Sequence, residues 1–144
     1  TTEGGLDVVG HRQRIAEAVD RCHDAGLEVS LFLDPDLAQV ETSLKLRIDA
    51  IELHTGRYAN ALEGHSRDRE LDALRAAGQV IVAGGLKLHA GHGLNYRNVA
   101  PIAKLNSMVE LNIGHAIVSR AVFVGLDQAV REMKRCMDQA VHAR

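Results

Sequence analysis

The feature that most limits what this chain can fold into is an alternation of short apolar runs with helical patterns. The apolar runs, each too short for a helix, lie at residues 28–34, 50–54, 86–90 and 109–113. A segment with helical spacing of apolar residues follows each run, and another helical pattern at residues 7–25 precedes the first. Strands that alternate with helices pair in parallel through right-handed crossovers, so the sequence predicts a single α/β sheet.

The helix ends are predicted from capping residues. Asp7 is expected to cap the first helix and Gly26 to end it. Asp34 followed by Pro35 predicts the start of a second helix that runs to about residue 46, and Gly78 is expected to cap a helix over residues 66–77.

The length of the chain narrows the choice of α/β fold. A TIM (β/α)8 barrel takes roughly 250 residues, and this chain fits four strand–helix units into 144. A flavodoxin-like sheet would need a fifth strand and would start with a strand. The sequence therefore predicts half of a TIM barrel: a helix, then four βα units with an extra short helix after the last strand, in one domain over residues 1–144 without an internal boundary.

Composition excludes several classes of function. Aromatic residues make up 3% of the chain, tryptophan is absent and no basic stripe occurs, so no nucleic-acid partner is expected. No apolar run approaches the roughly 20 residues of a membrane span, and no leader pattern is seen, which predicts a cytoplasmic protein without a membrane partner. Cys22 and Cys136 lack the spacing of a disulfide framework or of a redox motif, which favours reduced thiols.

Each of the last three predicted strands ends with a polar side chain beside glycine. The segments are ELHTG at residues 52–56, HAGHG at residues 89–93 and NIGHA at residues 112–116. Because the carboxyl ends of parallel strands share one face, we expect Glu52, His92 and His115 to converge on one pocket. Gly91 and Gly93 remove Cβ atoms around His92, so a small ligand can approach the backbone there.

A phosphate site is predicted after the last strand. Gly114 and His115 open a short helical pattern, and the free N–H groups at the start of such a helix bind phosphate in many barrels.

Two other classes of function compete with a small-molecule enzyme. Neutral imidazoles and a carboxylate suit zinc, so a metal-dependent barrel hydrolase could use the set His54, His89, His92, His115 and Glu52. The glycines argue against it, because metal ligands are usually locked by packing, whereas these glycines open room for a ligand. The other alternative is a half-barrel that folds and associates with itself without catalysis.

Linked motifs identify a family. They are TTEGGLDV at residues 1–8, IELHTG at residues 51–56 followed by Tyr58 and Ala59, AGHGL at residues 90–94 and LNIGHA at residues 111–116. In this order and spacing they resemble the signatures of the pyridoxine 5′-phosphate synthase family, end to end along the chain. The resemblance implies the carboxyl-terminal part of a TIM barrel. It also implies an enzyme of vitamin B6 biosynthesis that condenses 1-deoxy-D-xylulose 5-phosphate with 3-amino-2-oxopropyl phosphate and closes a pyridine ring, releasing phosphate and water.

The resemblance also implies roles for single residues. His92 would donate a proton to a leaving oxygen, and Glu52 would stabilise charge in the transition states. The implied substrate-binding residues are Thr1 for the deoxyxylulose phosphate and Gly93, Gly114 and His115 for the amino-ketone phosphate. Proton shuttles near neutral pH suit such condensations and dehydrations. No metal and no cofactor is implied.

The sequence departs from the family pattern in three respects. Residues 46–49 replace a turn that usually contains glycine, and His89 stands where asparagine is more usual. The family's amino-terminal half of the barrel, which carries further catalytic residues, has no counterpart, so we expect the isolated chain to be inactive. Half a barrel exposes two sheet edges and apolar interior residues, and association would cover them. Separately, the resemblance implies a homo-oligomer, which is an octamer in the family.

Overall fold

The computed structural model describes residues 4–142. The strands in this part of the chain are β1 (Ser30–Leu33), β2 (Ala50–His54), β3 (Lys87–Gly91) and β4 (Met108–Asn112). The helices are α1 (Val8–Asp24), α2 (Leu37–Ser43), α3 (Gly56–Asn60), α4 (His65–Ala83), α5 (Val99–Ala103), α6 (His115–Val124) and α7 (Leu126–His142).

The four strands form one parallel sheet in chain order, β1-β2-β3-β4. This arrangement confirms the predicted parallel α/β sheet. Each strand lies within about two residues of its predicted position. β1 and β4 are the two edges of the sheet, and the β3–β4 pair carries a register shift beside His89.

One face of the sheet carries the hydrophobic core. The strand side chains that point to this face join residues of helices α1 to α5 in a single buried cluster; the strand members are Leu31, Leu33, Ile51, Leu53, Leu88 and Ala90. Side chains alternate along a strand, so every second residue turns to the helices. The helices therefore cover one side of the sheet.

The opposite face carries a row of aligned residues, one from each strand. Phe32 pairs with Glu52, Glu52 with His89, and His89 with Glu110. Three of the four are ionisable, and none of the four is fully buried. The expectation of an apolar face left open on the sheet is therefore wrong for this row, where Phe32 is the sole apolar member.

Two predicted helix signals are wrong. Asp36, and not Asp34, caps α2, and its carboxylate accepts a hydrogen bond of 3.0 Å from the Gln39 backbone. Gly78 lies inside α4, which continues to Ala83, and a Cβ on Gly78 would come within 3.0 Å of the Leu88 side chain. Glycine allows close packing of the helix on β3 there, and the chain turns instead at Gly85, where φ is +80°.

The segment before β2 forms its turn without glycine. The Asp49 carboxylate accepts hydrogen bonds from the Val29 backbone at 2.7 Å and pairs with the His23 ring at 2.9 Å. This pairing ties the end of α1 to the starts of β1 and β2, so side-chain hydrogen bonds hold the entry to β2 in place of a glycine turn.

The last two helices cover less apolar surface than their sequence pattern suggests. α7 buries Ala129, Met133 and Ala140. Leu126 and Val130, which are apolar residues at helical spacing from these three, are exposed.

A search of the helices within residues 4–142 finds none with the length and apolar character of a membrane span.

Stability should depend on the helix-covered face of the sheet. We expect Leu88→Ala, which empties a site that is 1% exposed, to lower the free energy of unfolding by about 2–5 kcal/mol. The matched control is Val109→Ala on edge strand β4, which is 64% exposed and should change this energy by less than about 0.5 kcal/mol. Urea unfolding measures both, and equal losses would contradict the one-sided core.

Candidate active site

A cavity opens at the carboxyl ends of the strands. Its volume is about 730 Å³. It is lined by Phe32, Glu52, His92, Gly93, Leu94, Asn95, Asn112, Ile113, Gly114, His115, Ala116 and Ser119. The structure thus brings Glu52, His92 and His115 together around one cavity, as the convergence of strand ends predicts. Thr1 lies outside the described residues.

His92 sits in a backbone conformation that is rare for a residue with a side chain. Its φ is +79°, and that of Gly93 is +77°. Such left-handed residues cost free energy and cluster at functional sites. The strain is held by Thr55, whose buried hydroxyl lies 2.7 Å from the Gly91 carbonyl oxygen and 2.5 Å from the His92 carbonyl oxygen. The turn is therefore fastened to the end of β2.

The glycines beside His92 are required by close contacts. A Cβ on Gly91 would collide with the Glu52 carboxylate, and a Cβ on Gly93 would come within 2.7 Å of the Ala59 side chain. These glycines therefore let Glu52 and α3 pack against the turn. The predicted purpose, access of a ligand to the backbone, remains a prediction, although Gly93 does line the cavity.

The loop after His92 is organised by Asn98 and Tyr58. The Asn98 side chain accepts a hydrogen bond of 2.7 Å from the Asn95 backbone and donates one of 3.2 Å to the Gly93 carbonyl. The Tyr58 hydroxyl donates to the Asn98 carbonyl at 2.8 Å. These bonds shape the wall of the cavity that Gly93, Leu94 and Asn95 form.

Glu52 lies in the middle of the open face, half-buried. Burial raises the pKa of its carboxyl above the usual value, while the Asn112 side chain and then His89 act in the opposite direction. The ring of His89, its neighbour on β3, lies 3.6 Å from the carboxylate of Glu110. His89 thus contributes to the electrostatics around Glu52, although it does not line the cavity.

Gly114 and His115 stand where α6 begins. Gly114 is the residue before the helix, and its carbonyl accepts the hydrogen bond of the Val118 N–H at 3.0 Å. The first N–H groups of a helix have no carbonyl partner within it and carry the positive end of the helix dipole. This start of α6 borders the cavity.

Sequence reasoning missed Asp34 and Thr55 as parts of the site. Asp34, taken for a helix cap, instead lies 2.8 Å from Nδ1 of His54. Asp34 and His54 are both polar residues at strand ends, and this shared position was the signal that could have predicted their pairing. Asp34 was instead predicted to cap a helix, because aspartate is a common capping residue. Phe32, Asn95 and Ser119 also line the cavity without having been predicted, whereas Asn112 belongs to the predicted strand end at residues 112–116.

The set of residues considered for zinc does not form a cluster. Across residues 4–142, no three or more histidine, cysteine, aspartate or glutamate side chains are grouped so that they could hold a metal ion. His54 is paired with Asp34 and His89 with Glu110, away from His115 at the start of α6.

Comparison with known proteins places the chain in a family. Residues 1–139 match the family model described as "Pyridoxal phosphate biosynthesis protein PdxJ". The chain is 57% identical over 98% of its length to a protein of Magnetococcus marinus and 54% identical over 99% to one of Rhodopirellula baltica, both named pyridoxine 5′-phosphate synthase. A protein of the same name from Nostoc punctiforme is 52% identical over 95% of the chain.

The relatives are longer than this chain. The chain spans 58% of the length of the Magnetococcus marinus and Rhodopirellula baltica proteins, and 57% of the Nostoc punctiforme protein. In three dimensions it resembles the solved structure titled "Crystal structure of Amycolatopsis orientalis BexX/CysO complex", with a TM-score of 0.60 and 18% identity, over 88% of this chain and 48% of that one. That likeness concerns the fold alone. From the match over residues 1–139 and the identities above 50%, the chain belongs to the PdxJ family of pyridoxal phosphate biosynthesis proteins.

Proposed function

We propose that this chain is the carboxyl-terminal half of a TIM-barrel pyridoxine 5′-phosphate synthase, with residues 1–144 forming one part of a single domain. The observation that carries the proposal is the single cavity that Glu52, His92, Gly93, Gly114 and His115 border at the carboxyl ends of the strands. Its substrates are 1-deoxy-D-xylulose 5-phosphate and 3-amino-2-oxopropyl phosphate, and its products are pyridoxine 5′-phosphate, phosphate and water.

The half-barrel is supported by the one-sided packing of the sheet. Helices cover one face, two edges are open, and the row of Glu52, His89 and Glu110 occupies the other face. In a closed barrel this row faces the interior, where four further strands would surround it. The missing portion of the protein would then supply the other half of the acid–base groups.

His92 and Glu52 divide the chemistry between them. Forming an imine and closing the ring remove water, and each departing oxygen needs a proton, which His92 donates from the edge of the cavity. Positive charge builds on the nitrogen-bearing intermediates, and the half-buried Glu52 stabilises it because water is partly excluded around the carboxylate. Neither role calls for a metal or a cofactor.

The phosphate groups are proposed to bind on backbone N–H groups. Gly93, Gly114 and His115 hold the phosphate of the amino ketone, the last two at the start of α6. Thr1 is assigned to the deoxyxylulose phosphate by its motif alone.

The assembled protein is proposed to be a cytoplasmic homo-oligomer. Cys22 and Cys136 are free thiols, as expected of a reducing compartment. On α6, which buries none of its side chains, Val122 is 78% exposed and Phe123 83% exposed. Neighbouring apolar side chains of this size are usually covered by a partner. A monomeric mass by light scattering of the protein joined to its missing half would contradict the oligomer.

Turnover tests the synthase directly. The chain would be produced alone and joined to the part of the Magnetococcus marinus relative that it does not cover, and both proteins supplied with the two substrates. We expect product from the joined protein only. His92→Ala should lower its kcat by about 10²–10⁴, as loss of a general acid does. His65→Ala, at an exposed residue outside the cavity, is the control and should keep full activity.

Two results would overturn this proposal. A folded joined protein without turnover would remove the synthase assignment. Steady turnover by the 144-residue chain alone would remove the claim that the missing half carries essential groups.

Phosphate binding tests the start of α6. A Cβ on Gly114 would meet no atom within 4 Å, so Gly114→Val should fold normally while its side chain fills the space of the phosphate. We expect the affinity for inorganic phosphate to fall at least about tenfold, or about 1.4 kcal/mol, with a smaller loss in Gly114→Ala. Titration calorimetry measures the affinity and thermal unfolding checks the fold. Unchanged affinity in a folded Gly114→Val variant would refute the site.

The raised pKa of Glu52 predicts a pH-dependent stability difference. At a pH below the ordinary glutamate pKa the side chain is protonated in both folded and unfolded chains, and Glu52→Gln should match the parent. As pH rises from there through the raised pKa of the folded state, the unfolded chain ionises more readily, so the parent should lose stability relative to Glu52→Gln. Urea unfolding across this range measures the difference, and a parent that gains stability relative to Glu52→Gln as the pH rises would show the opposite shift.

A further inference from the structure

Behind the cavity lies a buried histidine that the proposed reaction does not use. The His54 side chain is 9% exposed, and its Nδ1 lies 2.8 Å from the carboxylate of Asp34. An ionised carboxylate only accepts hydrogen bonds, so Nδ1 carries the proton, and in the neutral ring Nε2 is then an acceptor. Within the described residues Nε2 is buried and has no hydrogen-bond partner.

An unpartnered buried acceptor is unfavourable, which calls for an explanation. If His54 only filled space, an apolar side chain would fill it without this cost. The ring is held between two others, in edge-to-face contact with Phe32 at 5.0 Å and with His92 at 4.6 Å between ring centres. Both of these rings line the cavity, whereas His54 stands behind them.

The free nitrogen of His54 and the ring of His92 lie close to the same glycine, Gly56. A Cβ on Gly56 would lie 2.7 Å from Nε2 of His54 and 3.2 Å from Cδ2 of His92, so both atoms border the same small space. Glycine at position 56 keeps that space empty. A half-turn of the His92 ring about its Cβ–Cγ bond exchanges Cδ2 with Nδ1 and would put an N–H group where Cδ2 lies, at the space that the unpaired acceptor also borders.

The backbone of His92 is tied to the end of β2 by the Thr55 hydroxyl, which lies against the carbonyl oxygens of Gly91 and His92. The remaining freedom is rotation of the side chain. A hydrogen bond to the ring would therefore be sufficient to select one orientation and one tautomer of His92.

We propose that His54, held by Asp34, is a positioning residue for His92: Nε2 of His54 accepts a hydrogen bond from Nδ1–H of His92. The chain Asp34–His54–His92 leaves Nε2 of His92 directed to the cavity, as a proton donor to the substrate requires. No net proton moves along the chain, since His92 keeps its Nδ1 proton before and after the donation. This inference rests on the acid role proposed for His92.

The imidazole nitrogens of the chain itself provide the first test. In ¹⁵N spectra of the histidine-labelled 144-residue chain, we expect His54 and neutral His92 both to be Nδ1–H tautomers, with a scalar coupling between Nδ1 of His92 and Nε2 of His54 across their hydrogen bond. His54→Phe keeps a ring but removes the acceptor, so the coupling should vanish and His92 should shift toward the Nε2–H tautomer.

A second variant separates the hydrogen bond from packing. Asp34→Ala leaves both rings in place but frees the Nδ1 of His54, whose tautomers should then mix, and the restraint on His92 should weaken. His65→Phe, at an exposed histidine, is the control and should leave the His92 signals unchanged. Absence of the coupling in the parent chain, or an unchanged His92 tautomer in His54→Phe, would overturn the proposal whether or not the protein is a synthase.

Kinetics of the joined protein provide the second test. Loss of orientation should lower kcat about tenfold in His54→Phe, less than the loss of the acid itself, while KM changes little because His54 does not line the cavity. An effect on KM alone, with kcat unchanged, would show that His54 supports only the shape of the site and would contradict the positioning role.

Discussion

The structure depends on the burial of every second strand residue against helices on one side of a parallel sheet. Ile51, Leu53 and Leu88 lie in that core and are at most 1% exposed. Because the strands run in one direction, this packing brings their carboxyl ends to a common edge. It also assigns the alternate residues, among them Glu52 and His89, to the other face. The position of the candidate site is thus a consequence of the core.

Contacts at the turn after β3 hold the candidate site in place on the sheet. The turn after β3 has two consecutive residues with positive φ, His92 and Gly93, and the Thr55 hydroxyl binds the backbone that enters it. A strained backbone conformation therefore stands where the proposed acid is. Such pre-organisation favours catalysis because the acid need not be ordered when the substrate binds. In the proposed chain, the pairing of Asp34 with His54 restrains the ring of His92, as Thr55 restrains its backbone.

The two proposed catalytic groups, Glu52 and His92, lie in different surroundings. Glu52 lies on the open face of the sheet, where burial raises the pKa of its carboxyl. His92 follows the neighbouring strand, β3. Its ring contacts the ring of His54, which in turn contacts Phe32. A half-buried carboxylate and an imidazole at the cavity edge therefore border one cavity from different surroundings. The chain supplies both without a metal cluster among residues 4–142.

Much of this could be predicted from the sequence because the signals are local. Apolar runs of five to seven residues predicted all four strands, alternation with helices predicted their parallel pairing, and glycines near Glu52, His92 and His115 marked the strand ends that border the cavity. Family membership followed from linked motifs. The roles of these residues remain proposals.

Tertiary structure decided what depends on contacts between distant segments. Asp34 and Asp36 both suit a helix cap, and only the approach of His54, twenty positions along the chain, assigns the first to a different partner. Gly78 has the sequence signature of a helix end, yet it lies inside α4, where the absence of a Cβ lets the helix pack closely on Leu88. The sequence by itself determined the parallel sheet and the residues at its carboxyl edge, because strand periodicity and turn chemistry are short-range. The hydroxyl of Thr55 on the His92 turn and the unpaired nitrogen of His54 were decided by the fold, since hydrogen-bond partners far apart in sequence are chosen only when the strands pack.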